Sequence, residues 1–307
     1  MMYRNTHSPL ENFIAFIKSN SILSRLMLIN LVVFAAVNII NLFLFLFEAS
    51  STSDVANIST ITYWLSVPSE ISQLIGRPWT LITYMFLQEG FFHLLFNMII
   101  LYFGGRIFIE YLTEKQLLKT YIFSGLFGAA FFILAFNVFP VFSDSLPYAL
   151  ALGSSASVLG ILIAIATYVP EYSVVLFLFG RMQLKYIAII FIVIDIFSIQ
   201  SGNAGGHIAH LGGAVWGFLY ARNLKKGKDL ATFFDRIKWP KVRFKSKKKH
   251  YFEDVYVNRK PMTDEEYNAR KVQNQKRMDE ILEKISRSGY QSLTKEEKEI
   301  LFKNSKQ

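Results

Sequence analysis

Apolar residues in this chain are gathered into six long runs, at about 26–47, 91–111, 117–138, 150–169, 184–200 and 206–222. Each approaches the roughly 20 residues that a helix needs to cross a bilayer, so the pattern predicts six spanning helices. The fifth and sixth are short, which implies strong packing or local thinning of the membrane. No signal peptide is expected at the first run, because Arg25 is followed by about twenty apolar residues without a small-residue cleavage pattern. Between the first two runs, residues 48–90 are too long for a plain turn. The stretch ITYWLSVPSEISQLIGRPWTLITYMF is aromatic and sparsely charged, and predicts short helices in the outer interface with Tyr63, Trp64 and Trp79.

Composition agrees with the pattern. Of 307 residues, 52% are hydrophobic and 29 are Phe, which excludes an ordinary soluble domain. Cysteine is absent, so disulfides, thiolate metal sites and cysteine nucleophiles are excluded as well. The net charge of +10 is unevenly placed: from Arg222 onward 24 Lys/Arg face 13 Asp/Glu, leaving +11 in the tail. Directly after a spanning helix, such a segment marks the cytoplasmic side and contacts anionic lipid, which is a simpler reading than nucleic-acid binding.

Short connections fix the orientation. Arg4, Lys18 and Arg25 precede the first run, Lys115 and Lys119 follow the second, Arg181 and Lys185 follow the fourth, and the tail is basic throughout. Among the other connections only Arg77 is basic, beside Glu48, Asp54, Glu70, Glu89 and Asp144. Both termini are therefore expected in the cytoplasm. The expected organisation is a cytoplasmic segment 1–25, a membrane domain 26–222, a basic linker 223–272 and a small helical segment 273–307. The expected location is a plasma membrane of the bacterial inner-membrane kind.

Depth then selects a few polar residues. The second, fourth and sixth spans all start on the outer side, and His93 with Asn97, Ser155, and His210 lie within about two to six residues of those starts, near one level at 1.5 Å per residue. His93 and Asn97 are spaced i, i+4 and share a face. Ser155 follows Gly153, and His210 follows GNAGGH, where small residues let helices come close. A serine with an imidazole in reach, plus an Asn amide, a second His and the serine's own N–H as oxyanion donors, is a set suited to acyl transfer. Simpler readings exist for each part. Gly153/Ser157 and Ala156/Gly160 are small-xxx-small packing pairs, Ser154 and Ser157 serve packing or backbone bonding in any case, and His93 with Asn97 would alone pass for an interfacial polar pair. Three histidines, His93, His207 and His210, invite a metal, but cysteine is absent and Glu89 lies outside the span, so no metal or cofactor is expected.

HLLFN (His93–Asn97), GSSA (Gly153–Ala156) and AHLGGAVWG (Ala209–Gly217), in this order, resemble the rhomboid family of intramembrane serine proteases over about residues 20–222. The resemblance implies an all-α, six-transmembrane-helix bundle, here with a cytoplasmic basic tail ending in short helices. It makes Ser155 the nucleophile, His210 the base, and His93, Asn97 and the Ser155 N–H the oxyanion hole. Gly153, Ala156, Gly213 and Gly217 are the supporting motif, and Gly at the third and seventh positions after the base selects His210 over His207. Ala156, Leu159 and Thr80 depart from residues common in the family at those places, a glycine, an aromatic ring and an arginine. Implied substrates are transmembrane proteins cut near the outer face. The alternative is a non-catalytic relative that binds and escorts such segments; a transporter is disfavoured because the spans carry no internal repeats or paired charges.

Asp195, in the fifth span, either orients His210 or bonds to backbone near its helix end, and the second role is the expected one. In the tail, Arg236–His250 reads as a solvated tether near anionic lipid. Two short amphipathic helices are expected after about 273, the first ended by Gly289 and the second capped by Thr294 and Glu297. Ile281, Leu282, Ile285, Ile300 and Leu301 would share an apolar face, a docking site for a cytoplasmic partner.

Overall fold

A computed structural model describes Phe16, Ser19 and residues 21–47, 59–176, 180–200, 202–232, 235, 264–289, 292–294, 296–298 and 301. The basic run 236–250 and Ile300 therefore lie outside the described residues. The chain falls into two compact units, His7–Lys238 and a unit of Met1–Thr6 with Trp239–Gln307.

In the larger unit each predicted apolar run contains a helix: α1 Ile22–Leu46, α5 Phe91–Tyr111, α6 Glu114–Val138, α7 Ser155–Tyr168, α8 Leu184–Ser198 and α9 Ala204–Leu224. Their starts are set by local chemistry. The Ser21 hydroxyl accepts from Ser24 N at the start of α1, Thr113 and Gln116 form a reciprocal capping box for α6, and Asn203 Oδ1 accepts from Gly206 N at the start of α9. Three of these helices, α1, α5 and α6, are long and apolar enough to cross a membrane. Their outward faces carry exposed Leu, Ile and Phe, as does α8, where Phe197 stands fully out.

Helix α7 is central, packed against α9, α6 and α5, with every residue from Ala156 to Ala166 buried. Glycines set its distance from α9. A Cβ on Gly213 would collide with the Ala156 carbonyl, and one on Gly217 with the Gly160 carbonyl. The two backbones touch where side chains would hold them apart. Gly128 does the same for α6, where an added Cβ would meet Ala156 Cβ at 2.7 Å and Ala209 O at 2.9 Å.

The 59–90 connection does form short helices, α2 Thr60–Leu65, α3 Ile71–Gly76 and α4 Thr80–Thr83, followed by a 3₁₀ turn at Tyr84–Phe86. Trp64 and Trp79 stack with ring centroids 6.2 Å apart, and Trp79 Nε1 donates to Trp64 O. Arg77 is more than an orientation mark. Its buried guanidinium donates to Tyr63 O and Gln73 Oε1 and lies 4.0 Å from the centroid of the Tyr63 ring. Thr80 donates its hydroxyl to Arg77 O. Strand β1 (Val67–Pro68) then pairs antiparallel with β2 (Leu150–Ala151).

That pairing corrects the fourth run. Residues 150–151 are strand, so α7 starts only at Ser155. On the opposite side β3 (Ser173–Leu176) and β4 (Gly180–Gln183) pair between α7 and α8. The chain beyond α9 also stays on the bundle: buried Lys119 donates to Asp229 and Asp235 at 2.7 Å each, and Ala231 is buried with Trp216 and Tyr220. Asp229, Ala231 and Asp235, in the linker expected from 223, are thus held against the bundle.

In the smaller unit helix α10 (Asp264–Ser288) starts ahead of the expected residue 273, Gly289 follows it with φ +75°, and helical residues recur at 296–298 and 301, where the second helix is expected. Thr294 and Glu297 make the expected reciprocal box, at 2.7 and 3.3 Å. Lys284 reaches the Glu297 carboxylate at 2.8 Å, and this bond with the Thr294 amide holds that carboxyl below its usual range. Ile281 is buried but Leu282 is half exposed, so the expected apolar face is narrower than the pattern implied.

The α7–α9 contact is testable. Replacing Gly217 by Val forces a side chain into the Gly160 backbone and should destabilise the fold by about 1–3 kcal/mol or more. Thermal unfolding in detergent should show a clear drop for Gly217→Val and a smaller one for Gly217→Ala.

Candidate active site

Ser155 is the first residue of α7, and this decides what its backbone can do. The opening N–H groups of a helix lack intrahelical acceptors, and the first such bond here comes from Val158 N to Ser154 O. The amides of Ser155, Ala156 and Ser157 are therefore at the positive end of the helix dipole. Gly153 makes the turn into α7 with φ +128°, and its N–H donates to Tyr84 O. A Cβ there would be strained by that φ and would meet His93 Cε1 at 3.1 Å and Ser155 Oγ at 3.3 Å. Glycine lets the His93 ring and the Ser155 hydroxyl share one corner.

From α9, His210 Nε2 lies 2.7 Å from Ser155 Oγ. On its other side, His210 Nδ1 lies 2.8 Å from Asp195 Oδ1 of α8. His207, one turn earlier, does not reach the serine; its Nδ1 lies 2.8 Å from the same Asp195 oxygen. An ionised carboxylate only accepts, so both Nδ1 atoms carry protons. His210 Nε2 is then left with a lone pair to accept the Ser155 O–H. Among the described residues Asp195 meets two imidazoles, where bonding to backbone was the expected role.

Those three side chains also place ligand atoms within 4.8 Å of one another. The converging carboxylate missing from the sequence-based argument against a metal is therefore present, supplied by a helix that sequence distance does not tie to the histidines.

A cavity of about 240 Å³ opens over this corner, lined by Tyr84, Glu89, His93, Gly153, Ser155 and His210, among others. Asn97 is not in that lining. It is buried below His93, and its Nδ2 donates to Gln88 Oε1 at 2.9 Å. Gln88 in turn donates to Ser154 Oγ at 2.8 Å and Asn30 Oδ1 at 3.1 Å, and Asn30 Nδ2 donates to Tyr121 Oη. Sequence reasoning missed Gln88 altogether; a buried amide in an interfacial stretch looks like any loop residue. Ser154 is thus a network acceptor, whereas Ser157 Oγ is buried against α6 without a hydrogen-bond partner among the described residues. Gly213 and Gly217 act one layer below, through the α7–α9 contact, and Ala156 is the residue whose carbonyl Gly213 touches.

Residues 76–226 match the Rhomboid domain model, which spans every residue of the cavity corner. Residues 262–307 match a family of unknown function, DUF6576. No curated protein matches the chain.

The Gln88 network gives a stability prediction. Gln88→Leu leaves buried Asn97, Ser154 and Asn30 groups unpaired, each costing about 1–3 kcal/mol if unrelieved. Thermal unfolding should show a fall of several degrees for Gln88→Leu and a much smaller one for Gln88→His, whose ring can still bond.

Proposed function

This chain is an integral membrane protein of the rhomboid family, and from that premise we propose that it is an intramembrane serine endopeptidase that cleaves transmembrane substrates near their outer ends. The observation that carries the proposal is the 2.7 Å contact between Ser155 Oγ and His210 Nε2 at the floor of a cavity. A protein that only escorts spanning segments has no use for a paired hydroxyl and base.

In this reading His210 Nε2 takes the Ser155 proton as Oγ attacks the scissile carbonyl. The oxyanion that forms meets the free N–H groups at the start of α7 and the His93 ring. Asn97 joins them through its second amide N–H or after leaving Gln88. His210 then gives the proton to the leaving amine, and a water from the cavity, deprotonated by the same imidazole, splits the acyl-enzyme. A helical substrate shields its peptide bonds, so it must unwind locally before it can enter.

The six helices α1 and α5–α9 are proposed as six spans, with α7 and α8 inserted among longer neighbours and both termini cytoplasmic. The basic tail would lie against anionic lipid, and α10 would offer a surface to a cytoplasmic partner.

Two experiments test the reading. A fluorophosphonate probe should label detergent-purified protein, with labelling lost in Ser155→Ala and His210→Ala and kept, at a reduced rate, in His207→Ala. Failure of folded wild type to label would favour the escort reading. For topology, the natural absence of cysteine makes single substitutions clean. Ser145→Cys should react with an impermeant maleimide from outside the cell, and Ser173→Cys only after permeabilisation.

A further inference from the structure

Asp195 stands 4% exposed in an apolar helix, where a carboxylate is expensive unless it is fully bonded. Its place in that helix makes matters worse. It lies in the last turn of α8, next to the negative end of the helix dipole, where a cation rather than an anion is favoured. The α8 dipole therefore disfavours an acid at this position. What accounts for it lies on α9: the Nδ1 atoms of His207 and His210 both converge on Asp195 Oδ1 at 2.8 Å.

We propose that Asp195 is a positioning residue for the reaction, holding His210 in its Nδ1–H tautomer with Nε2 turned to Ser155 and stabilising the imidazolium that forms when the serine proton is taken. The proposal rests on the reading of Ser155 and His210 as nucleophile and base. His207 has a distinct part. It lies one turn before His210 on the same helix, and its N–H gives the same carboxylate oxygen a second donor that fixes its position. The charge never needs to move: the proton passes only between Ser155, His210 Nε2 and the leaving amine, while Asp195 stays ionised. The nucleophile, the base and the acid that orients it thus come from three helices, α7, α9 and α8.

The test compares Asp195→Asn, Asp195→Ala and Asp195→Glu in the full-length protein, with thermal unfolding to establish that each is folded. For a spanning substrate, kcat should fall about 10²–10⁴-fold in the Asn and Ala variants while KM stays within about threefold, and Glu should recover part of the loss. Nitrogen-15 spectra of labelled histidine give a readout that a merely structural carboxylate would not move: His210 should be Nδ1–H in the wild type and shift toward Nε2–H in Asp195→Ala. Folded Asn and Ala variants with wild-type kcat would overturn the proposal, as would activity that a chelator abolishes and zinc restores, since the cluster would then be a metal site. If the wild-type protein neither labels nor cleaves, the protease reading fails on its own. In that case the spectra still decide the positioning role, which is overturned if His210 keeps its tautomer without Asp195.

Discussion

Direct backbone contact between α7 and α9 is the constraint on which the rest of this molecule depends. Gly213 and Gly217 lie against the carbonyls of Ala156 and Gly160 with no room for a methyl group. Because Ser155 and His210 project from these two helices one layer above, the separation of the axes sets the distance between hydroxyl and imidazole. A hydrogen bond of 2.7 Å tolerates little drift. The glycines therefore act on the chemistry without touching the cavity, and the bulk of α7, buried along its length, keeps the contact from sliding.

A second set of restraints acts on the approach to Ser155. The 59–90 connection is organised by the Arg77 guanidinium and the stacked Trp64 and Trp79, and it contains a strand paired with the segment that enters α7. Below, Tyr84 O fixes the Gly153 amide while Gln88 fixes Ser154 and Asn97. The loop, α5 and α1 thus all reach the same four-residue turn. Inside an apolar bundle, polar groups have few partners other than one another, and the chain of bonds from Asn30 through Gln88 to Ser154 follows from that scarcity.

Most of the fold could be read directly from the chain, for a simple reason. A run of apolar residues must form a helix to satisfy its backbone in lipid, so hydropathy alone located all six helices, the four longest within a few residues. Distance from the predicted outer span starts put Ser155, His93 and His210 near one level, and all three line the cavity. Local cap chemistry placed Gly289 and the Thr294–Glu297 box equally well.

What tertiary structure decided were partners, because hydrogen bonding between distant segments leaves no periodic trace. That residues 150–151 are strand and Ser155 opens its helix depends on β1, some eighty residues earlier in the chain. Asn97 has the spacing of a cavity donor, yet Gln88 captures its amide. Arg77, which reads as a stray outer charge, is a buried organiser of its loop. Asp195 gives the sharpest contrast: sequence shows an acid in an apolar helix, and only the packing of α8 on α9 shows that two imidazoles meet it. Composition and periodicity specify which face a residue occupies, while the identity of its neighbour depends on how the helices come together.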